Sequence, residues 1–195
     1  MKRKDKFVVG IFGKIASGKS TVSRILCKKY KFSHINVDRL GHIALKKKKK
    51  SIIKNFGKGI LTFGFIDRKK LGNIVFADRK KLYTLNSIVH QEIKKMAIEK
   101  ISTSKKKYFI LDAALLFEIG LDELCDFIIM VESPEDLIIK RALSSKNWKM
   151  EKIKNVLSSQ EYLDVLKGKA DFIIFNNSDV KKLEKQIDFL MNVIF

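Results

Sequence analysis

Residues Gly13-Lys14-Ile15-Ala16-Ser17-Gly18-Lys19-Ser20 leave the chain little choice in how it folds around them. The pattern is G-x-x-x-x-G-K-S, a loop whose glycines let the backbone curl until successive N–H groups face one anion. Apolar Phe7-Val8-Val9-Gly10-Ile11-Phe12 runs into it, and Thr21-Val22-Ser23-Arg24-Ile25-Leu26 leaves it with apolar residues at helical spacing. Strand, loop and helix are therefore predicted in that order. The helix N-terminus adds partial positive charge at the loop. Lys19 is placed to reach the β and γ phosphates of a nucleotide, and the Ser20 hydroxyl suits Mg²⁺, a hard cation that prefers oxygen. A chance match in a glycine turn is the plain alternative, and the flanking strand and helix argue against it. Gly13, Ala16, Ser17, Gly18, Lys19, Ser20 and Thr21 are the nucleotide-binding candidates.

Four further apolar runs, at 33–37, 108–111, 126–131 and 171–175, join 6–12 as candidate strands. Helical patterns separate them. Near-continuous apolar character, as in Phe127-Ile128-Ile129-Met130-Val131, suits parallel strands covered on both faces. The expected class is α/β, doubly wound, with a five-stranded parallel sheet between two helical layers. The stretch from about 45 to 107 shows helical periodicity between Asn86 and Ile101 and no central strand, so it reads as a helical insertion. A second charged, helix-rich stretch, about 141 to 169, is expected to form a lid. With 195 residues and 46% hydrophobic content, one domain spanning 1–195 is the default.

Charge and cysteines narrow the setting. The net charge of +20 raises nucleic acid as a partner. The lysines are spread over every helix, however, with one dense run at 46–50 and no DNA- or RNA-binding signature, so a solvated lysine-rich surface is the expectation and a specific nucleic-acid partner is not. Cys27 and Cys125 form no C-x-x-C pair and, with three scattered histidines, give no zinc pattern. No apolar stretch approaches the roughly 20 residues of a membrane span. The first residues lead straight into the first strand, so cleavage of a signal there would remove it; a cytoplasmic protein is expected.

Beyond the loop, Ile35-Asn36-Val37-Asp38, Phe56-Gly57, Ile66-Asp67-Arg68-Lys69-Lys70-Leu71, Val75-Phe76, Leu85-Asn86-Ser87-Ile88-Val89-His90, Leu115-Leu116-Phe117-Glu118, Gln160 and Ala170-Asp171-Phe172-Ile173-Ile174-Phe175-Asn176 follow in order. With them the chain resembles the dephospho-coenzyme A kinases over nearly its full length. The resemblance implies a three-layer P-loop kinase fold and transfer of the γ-phosphate of ATP, with Mg²⁺, to the ribose 3′-hydroxyl of dephospho-coenzyme A. Another small-molecule or nucleoside kinase of the P-loop class is the nearest alternative, and a P-loop protein that binds polyanions a more distant one.

By the same resemblance Asp38 lies beside the acceptor hydroxyl, Arg68 and His90 near the acceptor, Arg141 over the ATP phosphates, and Asn176 near the adenine. Asp112, ending the third strand, is a candidate for the metal's water shell. Each has a structural alternative: helix caps for Asp38 and Asp112, a surface cation for Arg68, a packing residue for His90, a solvated arginine for Arg141 and a turn for Asn176. Lys14 and Ala16 stand where the family usually has glycine, Phe12 where it has threonine, Asn36 where it has an acid, Ala114 and Gln91 where it has proline. Ser145 stands where many relatives carry a second lid arginine, and Lys146 beside it could supply only a point charge.

Overall fold

The computed structural model describes residues 5–146 and 148–195; the side chains of Ser145 and Lys146, and so the question of a second lid cation, lie outside the described part. In chain order, β1 (Phe7–Phe12), the glycine loop, α1 (Lys19–Tyr30) and β2 (Ser33–Asn36) precede α2 (Val37–Lys47), α3 (Lys49–Phe56), β3 (Leu61–Thr62), β4 (Phe65–Ile66), α4 (Arg68–Phe76) and α5 (Arg79–Thr103). The chain continues through β5 (Tyr108–Asp112), β6 (Phe127–Glu132), α6 (Glu135–Lys146), α7 (Met150–Ser158), α8 (Tyr162–Val165), β7 (Phe172–Phe175) and α9 (Val180–Ile194). Two compact units result, one of Met1–Ile35 with Lys105–Phe195 and the other of Asn36–Ser104.

The first unit is built on the five expected strands, in a parallel sheet ordered β2-β5-β1-β6-β7. β1 lies between β5 and β6, with Gly10 opposite Leu111 on one side and Ile128 on the other. Val9, Ile11, Ile110, Ile129, Val131 and Ile174 meet Val22, Ile25 and Leu26 of α1 and Leu183, Ile187, Leu190 and Met191 of α9 in one buried cluster. Alternation along β1 sends Val8, Gly10 and Phe12 to the other face. Gly10 is required there by close approach: a Cβ would fall 2.7 Å from Cys125 Sγ and 2.8 Å from Leu116 Cδ2. Asp126 and Asp171, just ahead of β6 and β7, accept the Val8 and Ile128 N–H groups at 2.8 and 2.7 Å, so carboxylates extend the ladder where the strands begin.

The second unit is mostly helical and runs from Asn36 to Ser104, against an expected insertion of about 45 to 107, and it carries features that periodicity did not show. β2 stops at Asn36 because Asn36 itself is the N-cap of α2, its side chain accepting the Arg39 N–H at 2.8 Å. Asp78 caps α5 through Lys80 and Lys81, starting that helix well before Asn86. Polar residues in the first turns hide this from an apolar count. Phe63 and Gly64, at φ 48° and 78°, form the two-residue turn of the β3–β4 hairpin, the geometry of a type I′ turn. Phe-Gly lacks the usual Asn-Gly signal. Leu40, Ala44, Leu71, Val75, Val89, Ile93, Met96 and Ala97 are buried in this unit.

Candidate active site

The glycine loop is held in its shape by backbone geometry that specific residues permit. Gly13 and Gly18 sit at φ 144° and 107°, and a Cβ at Gly13 would lie 2.3 Å from the Val131 carbonyl oxygen. Ala16 adopts φ 53°, a left-handed conformation that costs an L-residue roughly 1–2 kcal/mol. The Lys19 ammonium donates to the Gly13 and Lys14 carbonyls at 2.9 Å each, so it is held against the loop that leads to it. α1 starts from Gly18 without a side-chain cap, and no acid sits in its first turn, so nothing there offsets the positive end of the helix. Ser20 is exposed in that turn, and Ser17 is fully buried with an Oγ that has no hydrogen-bond partner among the described residues.

The outside of the loop is fastened to the helices that follow β6. Ile15 N–H donates to Gln160 Oε1 at 2.8 Å and the Lys14 ammonium meets Asp164 Oδ2 at 2.8 Å. Ile15 and Ala16 pack against Ile138, Ala142, Ile153 and Leu157 of α6 and α7. Lysine at position 14 therefore exchanges backbone freedom for a tether. Tyr162, at the start of α8, is pushed above the ordinary tyrosine range by burial and then by its hydrogen bond to the Glu118 carboxylate.

Arg141 and Asn176 converge on the same loop. Asn176, buried at the end of β7, donates from Nδ2 to the Ser17 carbonyl at 2.8 Å. Its own carbonyl accepts from Ser133 Oγ at 2.8 Å and from Arg141 Nη2 at 3.0 Å, while Arg141 Nη1 donates to Ser133 Oγ at 2.8 Å. Gly18 completes the fit, since a Cβ there would fall 2.0 Å from Asn176 Nδ2. Arg141 is thus not a freely solvated helix arginine, and Asn176 does more than turn the chain. It braces the phosphate loop.

Asp112 is buried at the end of β5, where Oδ2 takes Ser23 Oγ at 3.3 Å and His34 Nε2 at 3.2 Å. These contacts replace the capping role considered for it. His34 went unsuspected because three isolated histidines carry no spacing signal; only the pairing of β2 with β5 brings it to Asp112.

Asp38, Arg68 and His90 belong to the helical unit. Asp38 is exposed in the first turn of α2, where the acid favours the helix dipole, but the cap is Asn36 two residues earlier. The capping alternative for Asp38 is thereby corrected. Arg68 opens α4 behind its cap Asp67, and its Nη1 meets His42 Nε2. Hydrogen bonds from Lys70 N–H and Thr62, with Lys69 N–H adding, hold the Asp67 carboxyl below the usual carboxylate range. His90 is half-buried on α5.

A G-x-x-x-x-G-K-S loop between the central strand and first helix of a five-stranded parallel sheet defines a P-loop nucleotide-binding protein, and the fold is that of the P-loop kinases. The shikimate kinase of Acinetobacter baumannii shares this fold, at TM-score 0.56 over 96% of this chain and 94% of that one with 13% identity. Closer likeness lies elsewhere. The family model for dephospho-CoA kinase matches residues 7–182. The dephospho-CoA kinase of Borreliella burgdorferi is 38% identical, covering 98% of this chain and 96% of that protein. The structure of the dephospho-CoA kinase from Campylobacter jejuni superposes at TM-score 0.68 with 27% identity, over 96% of each chain. The chain belongs to the dephospho-CoA kinase family.

Proposed function

We propose that this protein transfers the γ-phosphoryl group of ATP to the ribose 3′-hydroxyl of dephospho-coenzyme A, the last step of coenzyme A synthesis. The observation that carries the reading is a family match across residues 7–182 on a chain whose loop has the geometry phosphate binding needs. In this reading the loop from Gly13 to Thr21 cradles the triphosphate, with the N–H groups of Gly18, Lys19 and Ser20 and the Lys19 ammonium turned to it, Lys19 leaving the carbonyls of Gly13 and Lys14 for phosphate oxygens. Arg141 supplies a guanidinium over the phosphates, and residues 141–169 act as the lid on a single catalytic domain that carries the 36–104 unit as its acceptor-binding insertion. Asp38, exposed and not engaged in capping, takes the proton of the 3′-hydroxyl as it attacks. Arg68 and His90 help to hold the acceptor, and Asn176 lies on the nucleotide side through the loop it braces.

The donor set also fits Mg²⁺. An exposed serine hydroxyl at the loop and one buried aspartate, Asp112, are few ligands but all oxygen, which suits an ion that keeps most of its waters. Ser20 would bind it directly and Asp112 through water, and the ion would neutralise charge on the phosphates. A coupled assay of ADP release, with dephospho-coenzyme A set against adenosine, cytidine, shikimate and AMP, tests the assignment. Phosphorylation of dephospho-coenzyme A alone is expected. Turnover confined to a nucleoside, shikimate or AMP overturns it.

A further inference from the structure

The lysine run at 46–50 is not one solvated patch. The helix breaks at Lys48, between α2 and α3, and the run divides there by direction. Lys47 Nζ meets Glu92 Oε1 at 3.3 Å and Lys48 Nζ meets Glu92 Oε2 at 3.1 Å, so two of the lysines are spent on one buried carboxylate of α5. Lys46 and Lys49 go the other way. With His42, Leu45, Phe65, Ile66 and Arg68 they line a cavity of about 440 Å³ within the helical unit.

The lining has a definite chemistry. Three basic side chains, Lys46, Lys49 and Arg68, face it, and among the described residues no carboxylate lines it. The neighbouring Asp67 directs its carboxylate to Thr62 and to the N–H groups of Lys69 and Lys70 rather than to Arg68. His42, whose Nε2 meets Arg68 Nη1, adds an imidazole ring to the wall. Leu45, Ile66 and Phe65, the last still 73% exposed, offer apolar surface beside the cations. The ligand such a lining recognises carries concentrated negative charge and, next to it, a long weakly polar arm.

We propose that Lys46 and Lys49 bind the diphosphate of the acceptor, with its organic arm lying over Leu45, Phe65 and Ile66, and so set this enzyme's affinity for dephospho-coenzyme A. The inference rests on the function proposed above and adds to it two positioning residues and an apolar floor. Diphosphate oxygens accept from ammonium groups as from a guanidinium, though as point charges rather than as a fork.

Steady-state kinetics of the full chain separate the possibilities. Lys46→Ala/Lys49→Ala is expected to raise the Michaelis constant for dephospho-coenzyme A about tenfold, the sum of two partly exposed charge contacts, with that for ATP unchanged. Lys46→Arg/Lys49→Arg is expected to restore most of the affinity. Lys181→Ala/Lys185→Ala, which removes the same charge from exposed positions on α9, is expected to change neither constant. An unchanged acceptor constant in the first variant overturns the inference while leaving the kinase assignment standing, and so does an equal rise in the α9 variant, which would reveal only the general positive field. A wild-type protein inactive on dephospho-coenzyme A overturns both.

Discussion

Replacing Asp38 by asparagine removes a charge and a proton acceptor while keeping the size of the side chain. The structural cost is small and can be bounded. α2 is capped by Asn36, and Asp38 is exposed one position inside the helix, so what stability loses is its interaction with the helix dipole, about 0.5 kcal/mol for an exposed acid. For a chain of this size that lowers Tm by about 1–2 °C. The chemical cost should be far larger. A general base contributes typically 100-fold or more, equivalent to about 2.7 kcal/mol in the transition state. Turnover at saturating ATP and dephospho-coenzyme A, ATP binding by calorimetry, and melting followed by circular dichroism measure the two costs separately. The expected result is kcat down by about 100-fold or more with ATP affinity and Tm nearly unchanged. A folded variant that retains near-normal kcat refutes proton transfer to Asp38, and because the cap lies elsewhere, lost capping cannot account for a fall.

Arg141→Lys keeps the charge but cannot span Ser133 Oγ and the Asn176 carbonyl as the guanidinium does; the Michaelis constant for ATP should rise about fivefold or more with that for the acceptor constant, and parallel rises in both would contradict a role on the donor side. Ala16→Gly relieves a left-handed φ of 53° at the expense of glycine's greater chain entropy, for a net gain of about 0.5–1 kcal/mol. Thermal melting should show an increase of about 1–4 °C, and a decrease would mean that the methyl's packing on α6 and α7 outweighs the strain. Lys48 first, and Lys47 with it, hold the Glu92 carboxyl below the ordinary glutamate range. Its stabilisation is therefore complete above the unfolded-state value of about 4.3 and is lost as pH falls through the lowered folded value. Glu92→Gln should lower stability by about 1–2 kcal/mol at pH 7, the lysine partners being half exposed, and the gap in Tm from wild type should close in acid; a gap constant from pH 7 to pH 3 would refute the ion-pair account.

What could be read from the sequence was whatever local chemistry dictates. The loop was legible because its glycines and Lys19 answer to one ligand, and β1, β5, β6 and β7 because each is a short, largely apolar run between helical patterns. The hairpin at Phe63-Gly64 was not, since a phenylalanine at φ 48° has no propensity that announces it. Caps divided the same way: Asp38 drew attention as the acid beside the strand, yet Asn36, noted only as a departure from the family, holds the helix. His34 on Asp112 and Asn176 on Ser17 are separated by 78 and 159 residues. No periodicity spans such distances; sheet order creates them. The division of the lysine run depends likewise on where α2 ends and on Glu92 facing it from α5.

Gly18 and Asn176 have a consequence for how this loop can change over generations. Any side chain at 18 would need its first carbon 2.0 Å from Asn176 Nδ2, and shortening residue 176 to make room strips the Ser17 carbonyl of its donor. Neither substitution is tolerable first, and making both leaves a buried carbonyl unpaired. The two positions, one in the loop and one on the last strand of the sheet, are therefore closed to stepwise drift, and a library that randomises either alone should return the starting residue.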